Sequence, residues 1–149
     1  MTLRRRVLGL LALGACTGAL AQPVSDAETK TLRALIEAQM QAFATSDAKR
    51  AFGYASPSIQ AQFGTPEVFM RMVRENYPMV YRHTTRAYFK PERNDGAVVQ
   101  KLRLTDAQGA EWFANYRLQK QANGAWRIDG CVVVAATGQI SQARVPRHG

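Results

Sequence analysis

The sequence predicts an α+β fold, in which N-terminal helices pack on one face of an antiparallel sheet of about four strands. Apolar residues recur at helical spacing between residues 25 and 76, and from residue 84 they alternate with polar residues. The alternating segments are joined by short turns rich in asparagine, aspartate and glycine. Such turns are typical of hairpins, so the strands are expected to run antiparallel.

The first helix is predicted over residues 25–45. Ser25 and Glu28 have the spacing of a capping box, which satisfies free amide groups at a helix start. One face of the helix is apolar: Leu32, Leu35, Ile36, Met40 and Phe43. The opposite face is polar and expected in water: Thr29, Lys30, Arg33, Glu37 and Gln41. Asp47 is predicted to cap a short second helix.

The stretch from 56 to 69 contains two steps in which a hydroxyl residue precedes a proline. Ser56 and Thr65 can each cap a helix, and the proline that follows fits the first helical position, where no amide hydrogen is needed. Gly64 ends the first of these two short helices. We interpret this stretch as a structural hinge between helices rather than as a chemical motif.

Alternation predicts four strands, over residues 84–92, 97–105, 111–121 and 125–135. In the last strand, Trp126, Ile128, Gly130 and Val132 are expected to face the helices. Asp129 then falls on the charged side, where an arginine of a neighbouring strand could pair with it. A one-residue bulge would shift this phase and turn Asp129 inward.

Several short motifs resemble a bacterial family, domain-of-unknown-function family 4864, over residues 26–135. They are the run AFGYASPSIQAQFGTPEVFMRMV, Tyr77-Pro78, Tyr81-Arg82, Val99-Gln100, Ala114 to Tyr116, and Gly124 to Cys131. Helices followed by a meander also resemble the cone-shaped fold of nuclear transport factor 2 and its cystatin-like relatives. The resemblance implies a curved sheet around a pocket that the helices close, and it implies no particular reaction.

The N-terminal segment is typical of a signal peptide. Three arginines precede the apolar run 7–15, and small residues lead up to a cleavage site after Ala21. We therefore predict a signal peptide over 1–21, one domain over 22–138, a disordered polar tail over 139–149, and a periplasmic or secreted location. Alternatively, the segment ending at Cys16 resembles a lipoprotein cleavage box, and acyl chains on Cys16 would then anchor the protein to a membrane.

Composition argues against several classes of function. The net charge is +9, but the basic residues are spread along the chain without a nucleic-acid-binding motif, so no nucleic-acid partner is predicted. The only cysteines are Cys16 and Cys131, which excludes a CxxC redox motif and a cysteine-based zinc site. Cys131 lies in an apolar run and is expected to be a buried, inert thiol. No metal and no cofactor is predicted.

Two residues are weak candidates for catalysis. His83 could act as a general base, because an unperturbed imidazole titrates near pH 6.5, but no acidic residue at a suitable spacing would orient it. Asp129 becomes a candidate acid or base only if it points inward. An enzyme of the lyase or isomerase type, using either residue, is therefore the alternative hypothesis.

The favoured hypothesis is a non-catalytic domain that binds a small amphipathic molecule or an envelope protein. Apolar walls with a few polar tips are typical of a small-molecule pocket. The candidate binding residues are Tyr54, Phe69, Gln100, Trp112, Tyr116 and Trp126, with Tyr77 and Tyr81 near the mouth. Phe113 and Val133, which are apolar residues on the charged side of the sheet, also suggest a homodimer through its outer face.

Overall fold

The computed structural model describes residues 22–137 and confirms the predicted α+β architecture. Five helices come first: α1 (Asp26–Ala44), α2 (Ala48–Gly53), α3 (Pro57–Phe63), α4 (Pro66–Asn76) and α5 (Pro78–Tyr81). Five strands follow: β1 (Thr85–Tyr88), β2 (Glu92–Asn94), β3 (Ala97–Thr105), β4 (Glu111–Lys120) and β5 (Trp126–Ala135). The predicted signal peptide, the Cys16 cleavage box and the predicted tail lie outside the described residues.

The helix starts follow the capping residues that the sequence predicts. Ser25 forms the complete capping box with Glu28. The side chains of Asp47, Ser56 and Thr65 each accept a hydrogen bond from a backbone amide in the first turn of the next helix. Each such cap stabilises its helix by about 1 kcal/mol, so the hinge between residues 56 and 69 is fixed by local interactions.

The strands form one antiparallel sheet in the order β1-β3-β4-β5, with β2 also paired to β3. The prediction of one strand over 84–92 is wrong, because the segment is divided into β1 and β2. Pro91 lies at the break, and a proline has no amide hydrogen to donate to β3. Asp95 and Gly96 form the hairpin turn to β3, both with positive φ, and this is one of the short turns that the sequence predicts.

A bulge interrupts the pairing of β4 with β5. Arg117 pairs with Gly130 and Leu118 with Ile128, so Asp129 is the extra residue on β5. Beyond the bulge the side chains exchange faces: Val133 is 8% exposed and Val132 is 64% exposed. The predicted inward position of Val132 and outward position of Val133 are therefore wrong.

The core lies between the helices and the inner face of the sheet. Its large, fully buried apolar side chains come from α1, β3 and β4, and include Leu32, Ile36, Phe43, Leu102, Leu104 and Leu118. Burying a side chain of this size stabilises the fold by about 1.5–3 kcal/mol. Within the described residues, no helix has the length and apolar character needed to cross a membrane.

Candidate functional site

A cavity of about 200 Å³ lies between the helices and the strands β4 and β5. We call it the Tyr116 cavity. Its walls are mainly apolar, and none of its lining residues is charged: Gln39, Phe43, Ala55, Ile59, Gln62, Phe63, Phe69, Met72, Val73, Tyr77, Val80, Tyr116, Ile128, Gly130 and Cys131. A cavity of this size and character can hold a small, mainly apolar molecule.

The hydroxyl of Tyr116 is the distinctive polar group of this cavity. Tyr116 is 1% exposed, and its hydroxyl oxygen has no hydrogen-bond partner. Cys131 lies beside it on β5, but no hydrogen bond of good geometry joins the two groups. Burial raises the pKa of Tyr116 well above its ordinary value. A buried, unpaired hydroxyl costs about 1–3 kcal/mol, which a ligand atom or water could recover.

The β5 bulge explains why Cys131 faces the cavity. Since Asp129 is the extra residue, Cys131 takes the inward position opposite Tyr116, and it lines the cavity together with Gly130. Cys131 as a whole residue is half-buried, but burial of its thiol raises the pKa to about 12. The thiol therefore stays protonated at neutral pH, as expected for an inert cysteine.

Three further polar side chains reach the wall from the helices, those of Gln39, Gln62 and Tyr77. Gln39 is 3% exposed, and its amide nitrogen donates to the Ala51 carbonyl at 3.1 Å. Tyr77 is half-buried where α4 meets α5, and burial raises the pKa of its hydroxyl. The cavity thus combines apolar walls with a few hydrogen-bonding groups that remain uncharged.

The helix α3 covers one side of the cavity with Ile59, Gln62 and Phe63. It contains no buried residue, in contrast to α1, α2 and α4. It is held at its ends by the Ser56 cap and by Gly64, whose φ of 76° suits a glycine. The predicted hinge therefore also forms a wall of the candidate site.

A second, polar depression of about 350 Å³ lies between α1, α5 and β1, and we call it the Glu37 groove. The Glu37 carboxylate accepts hydrogen bonds from the Arg86 guanidinium and from the Tyr88 hydroxyl. Arg86 also donates to the His83 Nε2 at 3.2 Å, so His83 is neutral with its proton on Nδ1. That Nδ1 is buried without a hydrogen-bond partner.

Burial and mutual contacts in the Glu37 groove shift the pKa values of its ionisable groups. Burial by itself would raise the pKa of Glu37, but the hydrogen bonds from Arg86 and Tyr88 outweigh it and lower this pKa. Burial lowers the pKa of His83, and the positive charge of Arg86 lowers it further. Burial and the bond to Glu37 raise the pKa of Tyr88. This arrangement links α1 to β1.

The chain matches the family described as "Domain of unknown function (DUF4864)" over residues 25–141, which is most of its length. It belongs to this family. No curated protein and no solved structure matches the chain significantly. The predicted DUF4864 membership is thus confirmed, and the name carries no activity with it.

The structure of this DUF4864 chain places two of the six predicted binding residues, Phe69 and Tyr116, in the wall of the Tyr116 cavity. The other four do not line it. Gln100 is fully buried and donates to the Phe89 and Lys101 carbonyls.

Trp112, Tyr54 and Trp126 are likewise engaged elsewhere. The indole of Trp112 donates to Asp106, and the hydroxyl of Tyr54 accepts a bond from Arg50. Trp126 is 9% exposed and packs in the core. Their role in binding a ligand stays a prediction.

Neither predicted catalytic residue lines the cavity. The Asp129 carboxylate accepts from the Ser56 hydroxyl at 2.7 Å and from the Arg117 guanidinium at 3.3 Å. It thus ties β5 to the cap of α3 and to β4. His83 lies in the Glu37 groove. Among residues 22–137, no group of three acidic, histidine or cysteine side chains is placed to bind a metal ion.

Sequence reasoning missed Glu37 and Gln39. Both lie on α1, and Glu37 was placed on the water-facing side by helical periodicity alone. Arg86 and Tyr88 of β1 bond to Glu37 on that side, which no local pattern indicates. For Gln39 a signal existed, because it follows Ile36 at helical spacing and so lies beside the apolar face.

Proposed function

We propose that this chain is an exported binding protein that holds a small, mainly apolar molecule in the Tyr116 cavity. The observation that carries the proposal is the Tyr116 hydroxyl, which is fully buried, unpaired and part of the cavity wall. Native proteins rarely leave a buried polar group without a partner. A ligand oxygen at this position would complete its hydrogen bonding.

The lining defines the chemical class of the ligand. It is uncharged, because no lining residue could neutralise a charge and burying an unpaired charge is costly. It is about as large as a monocyclic aromatic compound, since an engineered cavity of about 150 Å³ holds benzene. It carries one hydrogen-bonding oxygen that meets Tyr116.

Titration with p-cresol and toluene, followed by NMR chemical shifts, tests this proposal. The two compounds differ by one hydroxyl. We expect p-cresol to bind about fivefold more tightly, because its hydroxyl contributes one net hydrogen bond of about 1 kcal/mol. Shifts are expected at residues of the cavity wall. Absence of binding by both compounds would contradict the proposal.

A matched pair of substitutions locates the binding site. Met72 lines the cavity, whereas Met79 is also half-buried but does not. We expect Met72→Trp to fill the cavity and abolish binding of p-cresol, while Met79→Trp leaves it unchanged. Circular dichroism and thermal unfolding of both variants check that the fold is retained. Equal loss in both variants would place the binding elsewhere.

Export and superfamily membership are parts of the same proposal. The support for export is the composition of residues 1–21, and the support for the cone-shaped fold of nuclear transport factor 2 is the order of helices and sheet. Mass spectrometry of the chain from its own cells tests the first: a start at Gln22 supports a soluble exported protein. An acylated start at Cys16 would instead support a lipoprotein.

An enzyme of the lyase or isomerase type is the less favoured candidate. It would need an acid or base inside the cavity, and both Asp129 and His83 lie outside its wall. A chemical change in a bound carbonyl compound that is lost in His83→Ala or Asp129→Asn would favour this candidate over binding alone.

A further inference from the structure

The two edges of the sheet differ in how well they are protected against pairing with another strand. At one edge, β1 and β2 carry Arg86, Glu92 and Arg93, and Pro91 lies between the two strands. Charges, prolines and short strands at an edge prevent association with another chain. This edge has all three features.

The other edge is β5, and only its first part is covered. The backbone around Ala55 pairs with Ile128: the Ile128 amide donates to the Tyr54 carbonyl at 2.9 Å, and the Ser56 amide donates to the Ile128 carbonyl at 2.8 Å. Beyond the bulge, no described strand or bridge pairs with residues 131–135 on the side of β5 that faces away from β4.

The register shows which backbone groups face the open side. The Ala136 amide donates to the Glu111 carbonyl at 2.9 Å, so positions 136, 134 and 132 are those that bond to β4. Hydrogen bonding alternates along an antiparallel pair. The amides and carbonyls of Cys131, Val133 and Ala135 therefore point to the open edge, where no described backbone group bonds to them.

The side chains of this segment favour pairing. The run from 130 to 135 reads GCVVVA and contains no charged residue and no proline. Val132 is 64% exposed on the outer face of the sheet. An apolar, β-branched edge without a charge is a site where another strand adds to the sheet.

We propose that a second copy of this chain pairs with the edge at 131–135, antiparallel and centred on Val133. In that register Val133 faces Val133 of the second copy, and Cys131 faces its Ala135, so every open amide and carbonyl finds a partner. A two-fold axis makes the contact self-complementary. The segment carries no charge that would repel its own copy, and Val132 packs beside Val134 of the second copy.

This dimer differs from the one that the sequence predicts through the outer face of the sheet. That prediction used Val133, which the bulge turns into the core. Edge pairing buries less surface than a standard interface of about 1,600 Å². We therefore expect a dimer that dissociates on dilution.

The test is the oligomeric state of the full chain, in the form that its host cell produces. Sedimentation velocity measures the fractions of monomer and dimer over a range of protein concentrations. Val132→Lys places a charge in the centre of the edge, and we expect it to weaken the dimer about tenfold or more. Val68→Lys is the matched control, because Val68 is also exposed but lies on α4, and its dimer is expected to be unchanged. A wild-type chain that stays monomeric, or a Val132→Lys chain that dimerises normally, would overturn the proposal.

Disulfide formation tests the register. Val132 and Val134 of the second copy form a pair without mutual hydrogen bonds, with Cα atoms about 4.5 Å apart, which suits a disulfide. We expect a mixture of Val132→Cys and Val134→Cys chains to cross-link on oxidation. Either variant alone, and the wild type with its Cys131, is expected to stay uncross-linked. Equal cross-linking in all samples, or none in the mixture, would exclude this register.

Discussion

Tyr88 and Tyr116 are two tyrosines of the same sheet whose hydroxyls have opposite surroundings. Burial raises the pKa of both. The Tyr88 hydroxyl donates to the Glu37 carboxylate, whereas that of Tyr116 has no partner. Burial of a polar group therefore does not by itself indicate a binding site. A site for an apolar ligand is indicated by a buried polar group that has no partner and lies beside an open volume with apolar walls.

The two surroundings also differ in what they could accept. In the Glu37 groove, Arg86 and Tyr88 already occupy the carboxylate, so these three groups stabilise the contact between helix and sheet, and the unpaired buried group there is the Nδ1 of His83. The Tyr116 cavity contains no charge to be satisfied. Its free hydrogen-bonding capacity is available to a ligand.

The largest expected effect concerns the reactivity of Cys131 beside Tyr116. Burial raises the pKa of the Cys131 thiol from an ordinary 9.0 to about 12, which lowers its thiolate fraction. Reaction with Ellman's reagent at pH 8 should therefore be slower by about tenfold or more in the folded chain than in the chain unfolded in urea. Similar rates in both states would show that the cavity is not as apolar as its lining indicates.

The next effect concerns the ligand preference of the cavity. We expect Tyr116→Phe to remove the roughly fivefold preference for p-cresol over toluene, because the polar contact is lost and the walls are kept. Its stability is expected to stay equal or to rise by up to about 1 kcal/mol, since an unpaired hydroxyl is removed. Binding titrations and urea unfolding measure the two quantities. A marked loss of stability would mean that the hydroxyl has a partner.

Tyr88→Phe should behave in the opposite way. Loss of the bond to Glu37 is expected to lower the free energy of unfolding by about 1 kcal/mol, without an effect on p-cresol binding. Tyr54→Phe is the control, because the Tyr54 hydroxyl bonds to Arg50 at an exposed position, and we expect less than about 0.5 kcal/mol. If Tyr88→Phe instead weakened ligand binding, the contrast between the two tyrosines would be wrong.

The smallest effect is a pH dependence of the Glu37 groove. The pKa of Glu37 is lower in the folded chain than its ordinary 4.5, so this residue stabilises the fold above about pH 4.5 and stops doing so as the pH falls through the folded value. The contribution is below about 1 kcal/mol, because both partners are partly exposed. We expect the difference in unfolding free energy between wild type and Glu37→Gln to shrink from pH 6 to pH 3. If this difference in unfolding free energy stayed constant from pH 6 to pH 3, Glu37 would not have the lowered pKa on which the prediction rests.

Local chemistry made much of the fold predictable. The caps at Ser25, Asp47, Ser56 and Thr65 involve groups within one helical turn, so the sequence contains all the information they need. Alternation is equally local, and Tyr116, which lies in the alternating segment 111–121, is buried as expected of a residue in a pocket wall.

The rest depends on contacts between distant segments. Glu37 meets Arg86 and Tyr88 across about fifty residues, and Gln100 is satisfied by Arg33 and by the Phe89 carbonyl. The β5 bulge has no unambiguous sequence signal, because an isolated glycine such as Gly130 often marks a bulge in a strand but does not fix which residue is the extra one. That one extra residue decides which of Cys131 and Val132 reaches the cavity.

The strands from β2 to β5 are joined by successive hairpins, and this connectivity influences the order of folding. Each of these strands pairs with its neighbour in sequence, so the sheet can assemble by closing short loops. The helix α1, which contributes Gln39 and Phe43 to the cavity, packs against strands far along the chain. The cavity is therefore complete only when this docking is finished, and a bound molecule is expected to slow unfolding while leaving the rate of folding almost unchanged.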